Sequence, residues 1–358
     1  MTFLRLYLSI LSALLLAGCT TQPRPAATIT WGGNLWSSGQ RNAGVLFQDG
    51  GQSIPIPGGS LWLFGDTFYG QPNPSQPPQN SQIRGAHWAT LAQLPADAAN
   101  LPPALNYVTT PNNTPLNPLT LLPGEDPKHR RIWPAGGIHL NGRTYLYYSL
   151  VATTDAPGPW NFQDVGGGLA VTTNLATAFT RLQPSGNWQF PVEPIQVLSE
   201  SNTLYLCEVS TKPRGLIIAR TSTDQIENPT TYQFFNGHGW SPRHADARVV
   251  LREAAGQVSI IKSAITGEYL IATSSDFFHP REIQLRRAKQ LTGPWSAPQR
   301  FTVPELPGQK TQLVYCTFLH PELTPPGSRD LPITYCRQLT GEWNLSNPEW
   351  AVLRLIPE

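Results

Sequence analysis

The chain has 358 residues and a formal net charge of +2, and only 13% of its residues are charged. That length accommodates one large domain or two ordinary ones, and the near-neutral balance gives no electrostatic case for a nucleic-acid partner. With 36 Pro, 30 Gly, 11 Trp, 11 Tyr and 13 Phe, and no sustained helical periodicity beyond the N-terminus, the composition reads as an all-β protein with long loops.

The stretch Phe3 to Leu16 is apolar except for Arg5, Ser9 and Ser12. It is too short for a stable membrane span and fits the apolar core of an export signal. It ends on Leu16-Ala17-Gly18-Cys19, which matches the lipobox of bacterial lipoproteins. The expected organisation is a signal peptide over 1–18, a lipidated Cys19 with a polar tether over 19–28, and one domain over 29–358. Lipidation of Cys19 implies a membrane partner and an address in the cell envelope. Thr20 stands where an inner-membrane retention Asp would be, so a Gram-negative source implies the outer membrane.

Beyond the tether, similar short runs recur: Leu61–Phe64, Tyr145–Tyr148, Leu204–Cys207, Tyr269–Ala272 and Ile333–Cys336. Each follows a turn, of which Asn141-Gly142 is the most specific, and each turn follows another strand-like run, which makes five hairpins. A third strand is expected after each: His87–Leu94, Gly168–Thr173, Leu216–Thr221, Ile283–Ala288 and Trp350–Leu355. Four of these lead into turn-rich segments with room for an outer strand. Five such repeats predict a five-bladed β-propeller, with a β-sandwich or two small β domains as the alternative.

In a propeller, residues just before the first strand and just after the second of a blade meet at one face. In the first repeat these are Asp49 and Asp66. Glu208 holds the corresponding place in the third repeat, and Trp133 and Arg337 in the second and fifth. Loops at the same face contribute Arg84 and Arg214, with Trp88 as a further sugar-platform candidate and His320 added from the last repeat. Carboxylates, arginines and tryptophans around one opening suit a polysaccharide, because aromatic faces stack on sugars and paired carboxyls run glycoside hydrolysis. The catalytic candidates are Asp49, Asp66 and Glu208. The substrate-binding candidates are Arg84, Trp88, Trp133, Arg214, His320 and Arg337. Hydrolysis requires the Asp49 and Asp66 carboxyls to lie within about 10 Å of each other. Either aspartate could instead serve as a turn residue in its Gly-rich setting. A non-catalytic glycan-binding or envelope-scaffold protein is the competing reading.

No Cys/His spacing marks a metal site and no glycine-rich phosphate loop is present, so no cofactor is expected; a structural calcium in the central channel is left open. Cys207, Cys316 and Cys336 follow Cys19. Cys316 and Cys336 are expected to face one another, as a disulfide or as two buried thiols. A monomer is expected.

The segment Asp49 to Phe68, with its Asp…Gly-Asp-Thr pattern, resembles the opening blade of a bacterial five-bladed-propeller family. That family was long catalogued as a domain of unknown function and includes endo-D-arabinanases. Pro134–Gly137, Arg214–Arg220, Ala288–Ser296 and Phe318–Glu322 resemble it as well, so that the similarity runs over roughly 40–340. Membership would imply catalysis by two acidic residues of the first blade, which fall on Asp49 and Asp66, and a furanoside substrate such as arabinan.

Overall fold

The computed structural model describes residues 25–35, 40, 42–71, 82–98, 101–155, 161–182, 196–211, 214–254, 257–274, 279–341 and 346–356. Cys19 lies outside them. The fold is all-β: antiparallel strands joined by tight turns and short 3-10 segments, in six sheets.

Five of the sheets carry four or five strands each. Sheet I contains Gly50–Ile56, Gly59–Phe64, Thr90–Pro95 and Asn106–Tyr107. Sheet II contains Arg130–Leu140, Arg143–Thr153, Phe162–Thr172 and Thr180–Leu182. Sheet III begins with Gln196–Glu200, Thr203–Thr211 and Arg214–Ser222, and sheet IV with Val258–Lys262, Tyr269–Ser274 and Glu282–Ala288. Sheet V joins Thr311–Leu319, Asp330–Leu339 and Asn347–Leu355 to an outer strand from the other end of the sequence, Ala27–Asn34. A small sixth sheet, Val45–Phe47 with Thr67–Gln71 and Gln82–His87, sits beside sheet I.

Each sheet buries its apolar side chains against the next. Ile54, Leu61 and Leu91 of sheet I pack with Leu146 and Ala170 of sheet II. Tyr147 and Leu169 pack with Leu206 and Ile217 of sheet III, and Ile218 with Ile260 and Ile271 of sheet IV. Leu270 and Leu285 pack with Ile333 and Leu353 of sheet V. Leu323 and Trp350 then return to Trp62 and Phe64 of sheet I, closing a cycle that the first strands of the five sheets repeat in their own contacts. Middle strands are therefore covered on both faces, which is why Leu61–Phe64 is an uninterrupted buried run instead of an alternating one.

The hairpins match the sequence reading. Asn141 and Gly142 have φ of 50° and 76°, the pair of left-handed residues that a two-residue hairpin turn requires. Two expectations change. The single third strand expected at His87–Leu94 is two strands, which part at Trp88-Ala89 and enter different sheets. The strand Ala27–Asn34 starts inside the segment expected to be tether, because its backbone pairs with Asn347–Leu355, from Ala27 opposite Leu355 to Asn34 opposite Glu349. Among the described residues, no helix is long and apolar enough to cross a membrane.

Candidate active site

Asp49 immediately precedes the first strand of sheet I, and Asp66 follows its second strand by one residue, Gly65. The hairpin between them brings both to one end of the sheet. The Gly65 amide donates to the Asp49 carbonyl at 2.9 Å. The Thr67 hydroxyl donates to the Gly65 carbonyl at 2.7 Å and pairs with the Thr90 hydroxyl at 2.9 Å, which fixes the turn that carries Asp66. The Asp49 carboxyl lies across the Gly65 Cα, so a Cβ at Gly65 would collide with Asp49 Oδ1. Gly65→Ala is therefore expected to displace the Asp49 carboxyl and lower any Asp49-dependent activity at least tenfold, with melting temperature measured in parallel to separate displacement from unfolding.

The surroundings of the two carboxyls differ. Burial, and then the charge of Asp66, push the Asp49 carboxyl up to about 8, against the opposing hydrogen bond from Tyr315 and those from nearby backbone amides. Burial also raises Asp66, but the Trp133 indole and the positive charge of Arg131 favour its ionised form. The Trp133 Nε1–H donates to Asp66 Oδ1 at 3.0 Å, and the ring meets Phe162 edge-on at 4.9 Å. Arg131, two residues earlier on the same strand face, lies over the Trp88 ring at 5.0 Å. As whole residues, Asp49, Asp66, Trp88 and Trp133 are each half-buried. One acid that holds its proton near neutral pH, beside one carboxyl whose charge is supported, is the asymmetry that acid–base hydrolysis needs.

The other candidates are scattered. Glu208, in the second strand of sheet III, pairs with His244 Nε2 at 3.4 Å; the geometry falls short of a hydrogen bond, and Oε2 is buried without one. That contact raises the His244 pKa, and His244 packs edge-on against Phe234. Arg84 is exposed on the small sheet and donates to Gln71 Oε1 at 3.0 Å. Arg214 is exposed at the start of its strand.

Two substrate-binding expectations are corrected by burial. His320 is 0% exposed: it stacks on Trp62 at 4.4 Å, and its ring nitrogens bond to Ser53 at 2.7 Å and Thr334 at 2.8 Å. Arg337 is 5% exposed and grips Glu349 through Nε at 2.6 Å and Nη2 at 2.8 Å, with Nη1 on the Pro304 carbonyl at 2.7 Å. Both pack the interior between strands and have no free donor face for a sugar. Cys316 and Cys336 are buried free thiols in mutual contact, and Cys207 is a third buried thiol. Among the described residues, no three His, Cys, Asp or Glu side chains gather as a metal-ligand set.

Sequence reasoning missed Arg131 and Tyr315. Arg131 was legible in principle, since strand alternation puts it on the face of Trp133 once the strand is begun at Arg130.

The family model described as "Domain of unknown function (DUF4185)" matches residues 37–338. A comparison with curated proteins gives no match. Among solved structures, a candidate hydrolase of Bacteroides ovatus superposes with a TM-score of 0.66 at 18% identity, covering 88% of this chain and 87% of that one. The α-L-arabinofuranosidase PaAbf62A of Podospora anserina, in complex with cellotriose, gives 0.53 at 13% identity, covering 92% and 97%. An exo-β-1,3-galactanase of Phanerochaete chrysosporium gives 0.53 at 13% identity over 91% of this chain; the match spans 64% of that longer chain, just under two thirds. The fold is thus one that glycoside hydrolases of propeller architecture share.

Proposed function

The chain belongs to the DUF4185 family, which is defined without a reaction, and we propose for it the reaction that its own carboxyls support: hydrolysis of a glycosidic bond in a polysaccharide. The observation that carries the proposal is the Asp49–Asp66 pair, closed by one hairpin and split in proton affinity by its neighbours. Asp49, protonated near neutral pH, serves as the general acid to the leaving oxygen. Asp66 serves as base or nucleophile, with Trp133 and Arg131 supporting its charge. Trp88 and Trp133 offer aromatic surface beside the pair for sugar stacking. We further propose that the five large sheets are five blades, a count supported by their cyclic packing. The similarity to the arabinofuranosidase fold and the resemblance to a family with endo-D-arabinanases favour a furanoside such as arabinan. Lipidation at Cys19 would hold the enzyme in the envelope, a reading supported by the Leu16-Ala17-Gly18-Cys19 sequence.

The test is a screen of the purified full-length chain on a polysaccharide panel that includes arabinans. The expected result is release of reducing ends with a pH profile whose basic limb falls near 8, because activity is lost as Asp49 gives up its proton above that value. Binding of a glycan with no cleavage at any pH would transfer the assignment to a glycan-binding protein.

A further inference from the structure

The strand Thr311–Leu319 begins sheet V, yet its contacts run to the residues flanking Asp49 beside sheet I. Its pairing with Asp330–Leu339 breaks register between Tyr315 and Phe318. Within that break Cys316 takes φ of 52°, a left-handed conformation that costs a non-glycine residue free energy. Such a bulge re-aims the side chains at its edge, and bulges concentrate next to functional sites. Here the re-aimed group is Tyr315, whose hydroxyl lies 2.6 Å from Ser346 Oγ. Ser346 is itself fixed beside the acid, because its carbonyl accepts from the amide of Gln48, the residue preceding Asp49, at 3.0 Å. On the other side Cys336, which pairs with Tyr315 across the strands, donates its thiol to the Gly50 carbonyl at 3.5 Å. The Gln48–Asp49–Gly50 segment is thus held on one flank by Ser346, just before the strand Asn347–Leu355, and on the other by Cys336 of sheet V.

We propose that Tyr315 is the positioning residue of the acid: held by Ser346, its hydroxyl donates to one oxygen of the Asp49 carboxyl and so fixes the transferable proton on the other. This rests on the hydrolytic reading above. A tyrosine hydroxyl has one proton. With Ser346 donating to the Tyr315 oxygen, that proton is committed to Asp49. When Asp49 passes its proton to the leaving alkoxide oxygen, the sugar departs as an alcohol and Asp49 becomes a carboxylate. The Tyr315 bond, now to a charged acceptor, strengthens as that charge develops. The direction of the Tyr315 contribution at Asp49, which favours the ionised form, agrees with this.

Tyr315→Phe in the full-length chain tests the proposal, since it keeps the ring and removes only the hydroxyl. Losing a bond that favours the charged form should move the Asp49 titration, followed by carbon-13 NMR of labelled aspartate carboxyls, upward by roughly one pH unit. The basic limb of the kcat/KM profile should move by the same amount while kcat falls. Ser346→Ala, which leaves Tyr315 in place but loosens it, should move both in the same direction by less, and it decides the matter if Tyr315→Phe does not fold. An Asp49 titration unmoved in the folded variants would overturn the proposal. The NMR readout needs no turnover: if the wild-type chain hydrolyses nothing, the hydrolytic reading fails, and the titration still decides whether Tyr315 holds Asp49.

Discussion

Asp49→Asn and Asp66→Asn should each lower hydrolysis of a cleavable polysaccharide by about 10²–10⁴-fold, the range associated with losing a positioned acid or base. The losses should differ in character. Asp49→Asn removes the proton donor, so substrates with good leaving groups should retain more of their rate. Asp66→Asn should depress all substrates alike. Stability moves the other way. The folded state holds a proton on Asp49 up to about pH 8, whereas the unfolded chain releases it near the ordinary value of 3.8. Between those values the folded state binds more protons, so stability falls as pH rises through the window. Asn has no charge to bury, so Asp49→Asn is expected to melt at or above the wild-type temperature at pH 8. A variant that is inactive and at least as stable would tie the loss to chemistry. A matching drop in melting temperature would tie it to folding.

Arg337→Met is expected to give the largest loss of stability. It strips Glu349 of its bidentate partner inside the protein, with only the Tyr335 hydroxyl at 2.8 Å left to satisfy the carboxylate. Orphaning a buried charge costs about 3–5 kcal/mol, which corresponds to a fall of roughly 5–15 °C in melting temperature for a domain of this size. The exposed pair Arg354–Asp330, at 3.3 Å in the same sheet, provides the comparison: Arg354→Met should change stability by about 1 kcal/mol or less. Equal effects from the two variants would show that burial at Arg337 is not what makes it costly to remove.

The five hairpins were legible because their signals are local. Asn141-Gly142 specifies its own turn, and apolar runs such as Leu61–Phe64 are bounded by turn formers within a few residues. The pairing of Asp49 with Asp66 followed from the same locality, since a tight hairpin alone brings its two outer ends together. What was not legible depends on contacts distant in sequence. Nothing near Ala27 indicates that its partner is Leu355, and nothing near Tyr315 indicates that its strand breaks register there. His320 and Arg337 were misplaced for a related reason. A polar residue at a strand end serves equally well facing an opening or satisfying a buried partner, and only the positions of Ser53, Thr334 and Glu349 decide between the two.

The strand Ala27–Asn34 gives the molecule a polarity. Ala27 pairs with Leu355, near Asp330 and the Leu319–Asp330 connection, the same end of the sheets as the turns after Ile56 and Leu140. Asp49 and Asp66 lie at the other end. A chain tethered at Cys19 would therefore enter its domain from the face opposite the carboxyls. A lipid there would hold that end of the sheets toward the bilayer and leave the end that carries Asp49 and Asp66 looking outward. Such an enzyme would be oriented to work on polymer that reaches it from beyond the membrane, and poorly placed to attack glycans rooted in the leaflet that anchors it.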